Sequence, residues 1–237
     1  MSRISRKEMK KDELVLEVSK AVELVQSNKR DLILWGSIAV VVVVVVVGGY
    51  FFYTNRVDTA SEELGNAMRL YHAPIRPISL NDAGDEPTFP TVQGRDEEAL
   101  KGFETVANKY SMMRAGKIAR YYVGIVQLDQ GNVPEAEKQL TAAVSGGDSY
   151  VEPLARLALG SVYMREKKLD QAEQAYRYLV DHPTDSVPKI TAQLALASLI
   201  APTKPAEADK IFKEIQASKP DPEVANLVSK AQQESGK

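Results

Sequence analysis

The sequence predicts an all-α protein in which an N-terminal transmembrane helix is followed by an α-solenoid of about four helix pairs and a C-terminal capping helix. Three observations support this prediction: a long uncharged stretch near the N-terminus, helical periodicity through the rest of the chain, and an alanine that recurs at nearly constant spacing. The 237 residues include no cysteine and carry a formal net charge of −2. These totals exclude a disulfide framework and thiolate metal sites, and they give no sign of nucleic-acid binding.

The first element is the stretch from Leu32 to Tyr53, which contains no charged residue. As an α-helix it would be roughly 33 Å long, enough to cross a hydrocarbon core of about 30 Å. Trp35 at one end and Tyr50 at the other lie where aromatic residues meet the membrane interface. A buried core helix, a valine-rich strand and a cleaved signal peptide are the alternatives. We expect residues 32–55 to form a permanent transmembrane helix.

Residues 1–31 form a charged tail before this stretch, with eight Lys or Arg and six Asp or Glu. Positive residues are enriched on the cytoplasmic side of single-pass proteins, so the tail is expected in the cytoplasm and residues 56–237 outside it. A short amphipathic helix is predicted within the tail from four apolar residues at helical spacing, Leu14, Val18, Ala21 and Val25. A solvated tail with transient helix is the alternative.

Residues 56–237 are expected to be almost entirely helical, because no part of them alternates convincingly between apolar and polar residues. Leu64, Met68 and Tyr71 recur at helical spacing at the beginning of this segment. A loop is predicted at residues 72–95, which contain four prolines and two glycines that would break a helix.

An alanine recurs through this segment every 36 or 37 residues, and a large residue follows each alanine by four positions. The alanines are Ala99, Ala136, Ala172 and Ala208, and the large residues are Phe103, Leu140, Tyr176 and Phe212. In the middle two repeats, Gly124 and Gly160 precede the alanine by 12 residues. A period of this length is typical of a solenoid of repeated helix pairs, and a plain helical bundle is the alternative.

This pattern resembles the tetratricopeptide repeat. In that family a small residue on the first helix of each pair lets the second helix approach closely, and the alanine and the large residue of the second helix fill the interface. The chain departs from the pattern at Gln127, where the family has an aromatic residue, and at Leu196, where it has a small residue. Leu64 and Gly65 fit the first helix of an earlier pair, whose second helix would follow the loop.

The resemblance implies four helix pairs, near residues 58–111, 117–148, 153–184 and 189–220. A last helix is expected to cap the stack, because the outer face of a terminal pair would otherwise leave apolar surface in water. The inner face of this capping helix is predicted to carry Val224, Leu227, Val228 and Ala231.

The resemblance also implies a concave wall that is formed by the first helices and can bind a partner. In this chain the wall would be lined by Ile118, Tyr121, Ile125, Leu128, Leu154, Leu157, Ser161, Met164, Ile190 and Gln193, with Ala197 and Ile200 beyond them. Such a largely apolar wall suits a hydrophobic segment, an amphipathic helix or an unfolded polypeptide. The alternative is that a helix of the same molecule or of a second subunit fills it.

We find no sequence motif for catalysis, for a cofactor or for a metal. The two histidines, His72 and His182, belong to no metal-ligand spacing, and the chain contains no phosphate-binding loop and no nucleophile motif. The carboxylates are spread along helix faces, as on a solvated surface. We therefore expect a protein that is not an enzyme and has no cofactor.

The order of a basic tail, one membrane helix and degenerate repeats resembles the ancillary subunit family of the SecYEG translocon. Members of that family are single-pass proteins of the bacterial inner membrane with periplasmic repeats. The resemblance implies protein partners (the translocon, chaperones or emerging client polypeptides) and leaves a homo-oligomer open. The competing interpretation is a non-catalytic scaffold subunit of a larger membrane complex.

Overall fold

The structure is a computed structural model that describes residues 29–76 and 87–235. These residues form nine α-helices and no β-strand beyond a single bridge between Ile75 and Phe89. The helices are α1 (Lys29–Tyr71), α2 (Val92–Lys109), α3 (Arg114–Asp129), α4 (Val133–Ser145), α5 (Val151–Arg165), α6 (Leu169–Asp181), α7 (Lys189–Ile200), α8 (Pro205–Ala217) and α9 (Pro222–Ser235). The described residues confirm an all-helical fold, and the amphipathic helix predicted in the tail lies outside them.

The chain divides into two compact units, Met1–Arg56 and Val57–Lys237. In the first unit, α1 exposes its apolar side chains along the stretch from Ile33 to Tyr53. The helix is long and apolar enough to cross a membrane; its most apolar 18-residue window has a mean hydropathy of 2.4, and none of that window is buried. This exposure contradicts the alternative of a helix buried in the core of the chain.

Two hydroxyl groups at the ends of this apolar stretch are satisfied within the helix itself. The Ser37 hydroxyl donates to the Leu34 carbonyl at 2.8 Å, and the Thr54 hydroxyl donates to the Phe51 carbonyl at 3.0 Å. An unpaired hydroxyl costs several kcal/mol in hydrocarbon, roughly as an unpaired amide does. These side chains are therefore compatible with apolar surroundings.

In the second unit the helices stack in sequence order. From α2 to α9 each helix packs against the next, and the first helices α3 and α5 also contact each other. The second part of α1 packs against α2 through Ala60, Ala67, Ala99 and Phe103. Contacts of this kind between successive pairs give a solenoid, in which each pair buries surface on its neighbours.

The recurring alanines and large residues form the core of each pair, as the spacing predicts. Ala99, Ala136 and Ala172 are completely buried, and Ala208 is nearly so. Of the four large residues, Phe103, Leu140 and Phe212 are completely buried and Tyr176 is 3% exposed. The periodic pattern of the sequence therefore marks the interface between the two helices of each pair.

Gly124 and Gly160 stand where two helices approach most closely. A Cβ atom added to Gly124 would lie 2.6 Å from the Leu140 Cγ, and one added to Gly160 would lie 2.2 Å from the Tyr176 Cε1. Real carbon atoms do not approach so closely, so only glycine fits unless the large side chain moves. The expected pairing of a small residue on the first helix with a large residue on the second is present in both middle pairs.

The turns after α3 and α5 have the same hydrogen bonds, 36 residues apart. The Asn132 amide donates to the Gln127 carbonyl at 2.8 Å, and the Lys168 amide donates to the Tyr163 carbonyl, also at 2.8 Å. Gly131 adopts a φ of 79° in the first turn, and Lys167 adopts a φ of 60° at the matching position of the second. The repeat therefore extends to the backbone that closes each pair.

The predicted role of Gly65 in the first pair is wrong. A Cβ atom at Gly65 would meet nothing within 4 Å, because this residue lies beside the face of α1 that packs against α2. The close approach is made two residues further along α1, at Ala67, where a Cβ atom on Gly102 of α2 would lie 3.0 Å from the Ala67 Cβ. In this pair the smallest residues are therefore alanine on the first helix and glycine on the second.

The segment between α1 and α2 is shorter than the predicted loop of residues 72–95, since α2 begins at Val92. Thr91 caps this helix by accepting a hydrogen bond from the Gly94 amide at 3.1 Å, which allows Gly94 to lie inside the helix. At the base of the segment, the Arg76 amide donates to the Phe89 carbonyl at 3.0 Å, and the Phe89 amide donates to the Pro74 carbonyl at 3.2 Å.

Helix α9 packs against α7 and α8 and covers the end of the stack. Val228 is completely buried there, and Val224 and Ala231 pack against the same cluster. Leu227 is 48% exposed, so its predicted place on the inner face is wrong. Residues 224, 228 and 231 follow the helical spacing of four and three, and Leu227 lies about 100° around the helix from Val228.

Replacing Gly160 by alanine is expected to destabilise the repeats, because the added methyl group collides with the buried Tyr176 ring. Gly65→Ala is the matched control: it gains the same helix propensity, about 1 kcal/mol, in open space. We expect the free energy of unfolding of Gly160→Ala to lie about 1–3 kcal/mol below that of Gly65→Ala. Thermal unfolding of the full chain in detergent, followed by circular dichroism, measures the difference. Equal melting temperatures would contradict the close approach.

Candidate binding surface

The residues predicted for the concave wall lie on the first helices α3, α5 and α7, and most of them are partly exposed. Those with intermediate exposure are Ile118, Tyr121, Ile125, Leu154, Leu157, Ile190 and Gln193, and those that are exposed are Ser161 and Met164. Leu128, Ala197 and Ile200 are buried in the core instead. These three support the predicted wall from behind rather than line it.

The first helices α3 and α5 are joined directly at their C-terminal ends. The Arg165 guanidinium donates to the Leu128 carbonyl at 2.7 Å, in addition to the bond that this carbonyl accepts from the Gly131 amide at 3.1 Å. Earlier in α5, the Tyr176 hydroxyl lies 3.4 Å from the Ser161 hydroxyl and donates to the Met164 sulfur at 3.5 Å. The second helix of the pair therefore fixes two side chains of the predicted wall.

An aromatic cluster, which sequence analysis did not identify, adjoins the wall on α3. The ring of Tyr122 stacks on that of Phe103 with 5.0 Å between centroids, and it meets the ring of Tyr71 edge to face at 5.8 Å. Tyr121 packs edge to face on Tyr122 at 5.1 Å. In the sequence, only the adjacent tyrosines at 121 and 122 indicate this cluster. The packing of α1 onto α3 brings Tyr71 to them.

These tyrosines are poorly hydrated. Burial raises the pKa of Tyr121 to about 12, with a smaller contribution from the neighbouring Tyr122. Burial is also the main reason why the pKa values of Tyr71 and Tyr122 are raised. Half-buried tyrosine rings contribute strongly to protein interfaces, because a partner that covers them takes a large apolar face out of water.

An acidic cleft of about 630 Å³ lies next to this cluster; its lining residues are Val92, Gln93, Asp96, Glu97, Asp129 and Gln130. Asp96 accepts two hydrogen bonds from the Arg95 guanidinium, at 2.8 and 2.9 Å, and the same guanidinium lies 5.7 Å from the centre of the Tyr71 ring. Partial loss of hydration raises the pKa of the Asp129 carboxyl, and the positive Arg165 acts in the opposite direction. No group of three metal-binding side chains occurs among the described residues.

Tyr121→Phe is expected to make the protein more resistant to alkaline unfolding. An unfolded tyrosine loses its proton near pH 10, whereas Tyr121 in the folded protein keeps its proton to about pH 12. Between these values the unfolded state binds fewer protons, so stability falls as pH rises, and phenylalanine removes this loss. The midpoint of alkaline unfolding, followed by circular dichroism, is expected to rise.

The control for this experiment is Tyr150→Phe, which changes a tyrosine that is 46% exposed. Its alkaline midpoint is expected to match that of the unmodified protein. A midpoint for Tyr121→Phe that is also unchanged would show that the Tyr121 hydroxyl is hydrated like an exposed one.

Comparison with known proteins gives one family match. A family model described as a tetratricopeptide repeat-like domain matches residues 32–177, which is more than half of the chain. No curated protein and no solved structure matches the chain. The match confirms the repeat class that the periodic alanines predict. The finer resemblance to the ancillary subunit of the translocon stays a prediction.

Proposed function

Because this chain belongs to the tetratricopeptide repeat-like domain family, we propose that it is a membrane-anchored, non-catalytic module that binds polypeptides or assembly partners at the membrane. Repeats of this class are typically protein-interaction folds. The observation that carries the proposal is the wall on α3 and α5, where Ile118, Tyr121, Ile125, Leu154 and Leu157 remain partly exposed. Apolar and aromatic side chains with this exposure are typical of surfaces that a partner covers.

The wall is compatible with an external partner because the capping helix packs at the end of the stack and does not cover the wall on α3 and α5. Helix α9, whose inner face is apolar, packs against α7 and α8 at the end of the stack. The α3 wall residues instead pack on the cluster formed by α3, α4 and α5, and all of them keep part of their surface. Leu154 and Leu157 on α5 pack on a separate cluster that contains Leu179. This arrangement favours a partner over a helix of the same molecule.

The exposed apolar stretch of α1 is proposed to be a permanent membrane anchor. In the described part of the chain its large apolar side chains from Ile33 to Tyr53 are exposed, and lipid is the surrounding in which such a helix is stable. The match to the family begins at residue 32, so this stretch lies within the matched region together with the repeats. This supports a segment that belongs to the working protein rather than one that is removed.

We place the protein in the bacterial inner membrane, with residues 1–31 in the cytoplasm and the repeats in the periplasm. The excess of positive residues before the apolar stretch supports this orientation. The resemblance to the ancillary translocon subunit suggests an auxiliary role in protein translocation and folding. The competing proposal is a scaffold subunit of a larger membrane complex, in which one fixed neighbour covers the wall.

The test places a photo-crosslinking amino acid at Tyr121 or at Met164, with Asp209 on α8 as the control position, in intact membranes. Tyr121 and Met164 lie on the wall, and Asp209 is exposed on the second helix of the last pair. We expect translocon components, chaperones or emerging polypeptides to be captured from the wall positions and not from Asp209. Capture of a single fixed neighbour or of a second copy would instead establish the scaffold. Equal capture from all three positions would contradict a binding wall.

A further inference from the structure

We propose that the polypeptide segment bound by this wall carries Lys or Arg side chains among apolar residues, and that one of these cations lies in the acidic cleft beside Asp129. The inference rests on the proposed function and adds to it the chemistry of the partner. It follows from three features of the described residues: the continuity of the wall with the cleft, the unbalanced charge of the cleft, and the tyrosine rings between them.

The acidic cleft and the wall form one continuous surface. Asp129 ends α3, the helix that carries Ile118, Tyr121 and Ile125. Tyr71 connects the two regions, because its ring meets that of Tyr122 at 5.8 Å and lies 5.7 Å from the Arg95 guanidinium, which is paired with Asp96 in the cleft. Ile125 and Tyr121 lie about one and two helical turns before Asp129 on the same helix. A segment that lies along α3 would therefore reach the cleft.

The charge of the cleft is negative after its internal pairs are counted. Arg95 is paired with Asp96 at 2.8 Å, and Arg165 is held by the Leu128 carbonyl at 2.7 Å. Glu97 accepts a hydrogen bond from the neutral amide of Gln93 at 2.9 Å. Asp129 has no hydrogen bond or ion pair with any residue in the described part of the chain. Arg165 keeps its charge, because the Leu128 carbonyl is neutral, and acts on Asp129. Among the described residues, the three carboxylates of the cleft lining therefore face two guanidinium groups, those of Arg95 and Arg165, and the cleft stays net negative.

A cationic side chain matches the acidic cleft in both charge and shape. A guanidinium or ammonium group gains from a partly dehydrated carboxylate, and it gains again from the face of a tyrosine ring. Arg95 already illustrates this combination, since it pairs with Asp96 and lies over Tyr71. A cleft of about 630 Å³ has room for one more such side chain. An anionic segment would meet uncompensated repulsion at the same place.

The partner is therefore expected to be amphipathic, with apolar residues against the wall and at least one basic residue at the cleft. The apolar residues supply most of the affinity through burial on α3 and α5, and the basic residue fixes the register. A surface with both parts selects among apolar segments by charge. Polypeptides rich in acidic residues are expected to be excluded.

The test measures binding of two fluorescent peptides of equal length, one alternating Leu with Lys and the other alternating Leu with Glu. The full chain is held in nanodiscs of zwitterionic lipid, and empty nanodiscs correct for peptide that binds lipid. We expect the Lys peptide to bind about tenfold more tightly at low salt. Asp129→Asn is expected to weaken binding of the Lys peptide about two- to fivefold, the range for a partly exposed ion pair.

Asp129→Lys is expected to reverse the preference between the two peptides, while the control Asp209→Asn, on exposed α8 surface, leaves both affinities unchanged. Equal affinities of the two peptides, unaffected by Asp129→Asn, would overturn the inference and leave the proposed binding function intact. Absence of binding by either peptide, together with absence of any capture at Tyr121, would overturn both.

Discussion

The close approach of paired helices at Gly124 and Gly160 is the constraint on which the rest of the repeat domain depends. At each position a large buried side chain of the second helix occupies the space where a Cβ atom would be. The two helices of a pair are therefore fixed in register by contact, and the alanine that precedes the large residue completes the same interface. Because interiors are packed as densely as crystals, such a contact tolerates little displacement.

The register of each pair determines which side chains of the first helices stay exposed to a partner. One face of α3 and of α5 is used against the second helix, and the neighbouring face retains partly exposed side chains such as Tyr121 and Leu157. The bond from Arg165 to the Leu128 carbonyl then holds the two first helices together at one end. The wall is thus a consequence of the interface behind it: the residues that define the pairs also align Ile118, Ile125 and their neighbours on one surface.

Regular spacing made the interior of the repeats predictable from sequence. The alanines and large residues recur every 36 or 37 residues, because each helix pair forms the same internal interface. Prediction failed where the pattern is irregular: Gly65 is a small residue without a close neighbour, and Leu227 lies just off the inner face of α9. Successive residues of an α-helix are rotated by about 100° around its axis, so a shift of one position moves a side chain from the core to the surface. The type of residue at such a position does not show on which side of this boundary it lies.

The acidic cleft could not be predicted for a different reason. Asp96 and Asp129 are 33 positions apart in the sequence and belong to different helices, and Tyr71 comes from a third. Only tertiary packing brings them to the edge of the wall. Carboxylates spread along a chain resemble solvated surface until the fold shows which of them lie together, as Asp96 and Asp129 do in this cleft.

A double-mutant cycle between Gly160 and Tyr176 tests most directly whether the close approach fixes the pairs. The free energy of unfolding is measured for the unmodified protein, Gly160→Ala, Tyr176→Val and the double variant. Valine lacks the ring atoms that lie nearest to the added methyl group, so the cost of Gly160→Ala is expected to fall by at least about 1 kcal/mol in the Tyr176→Val background. An equal cost of Gly160→Ala in both backgrounds would contradict the account.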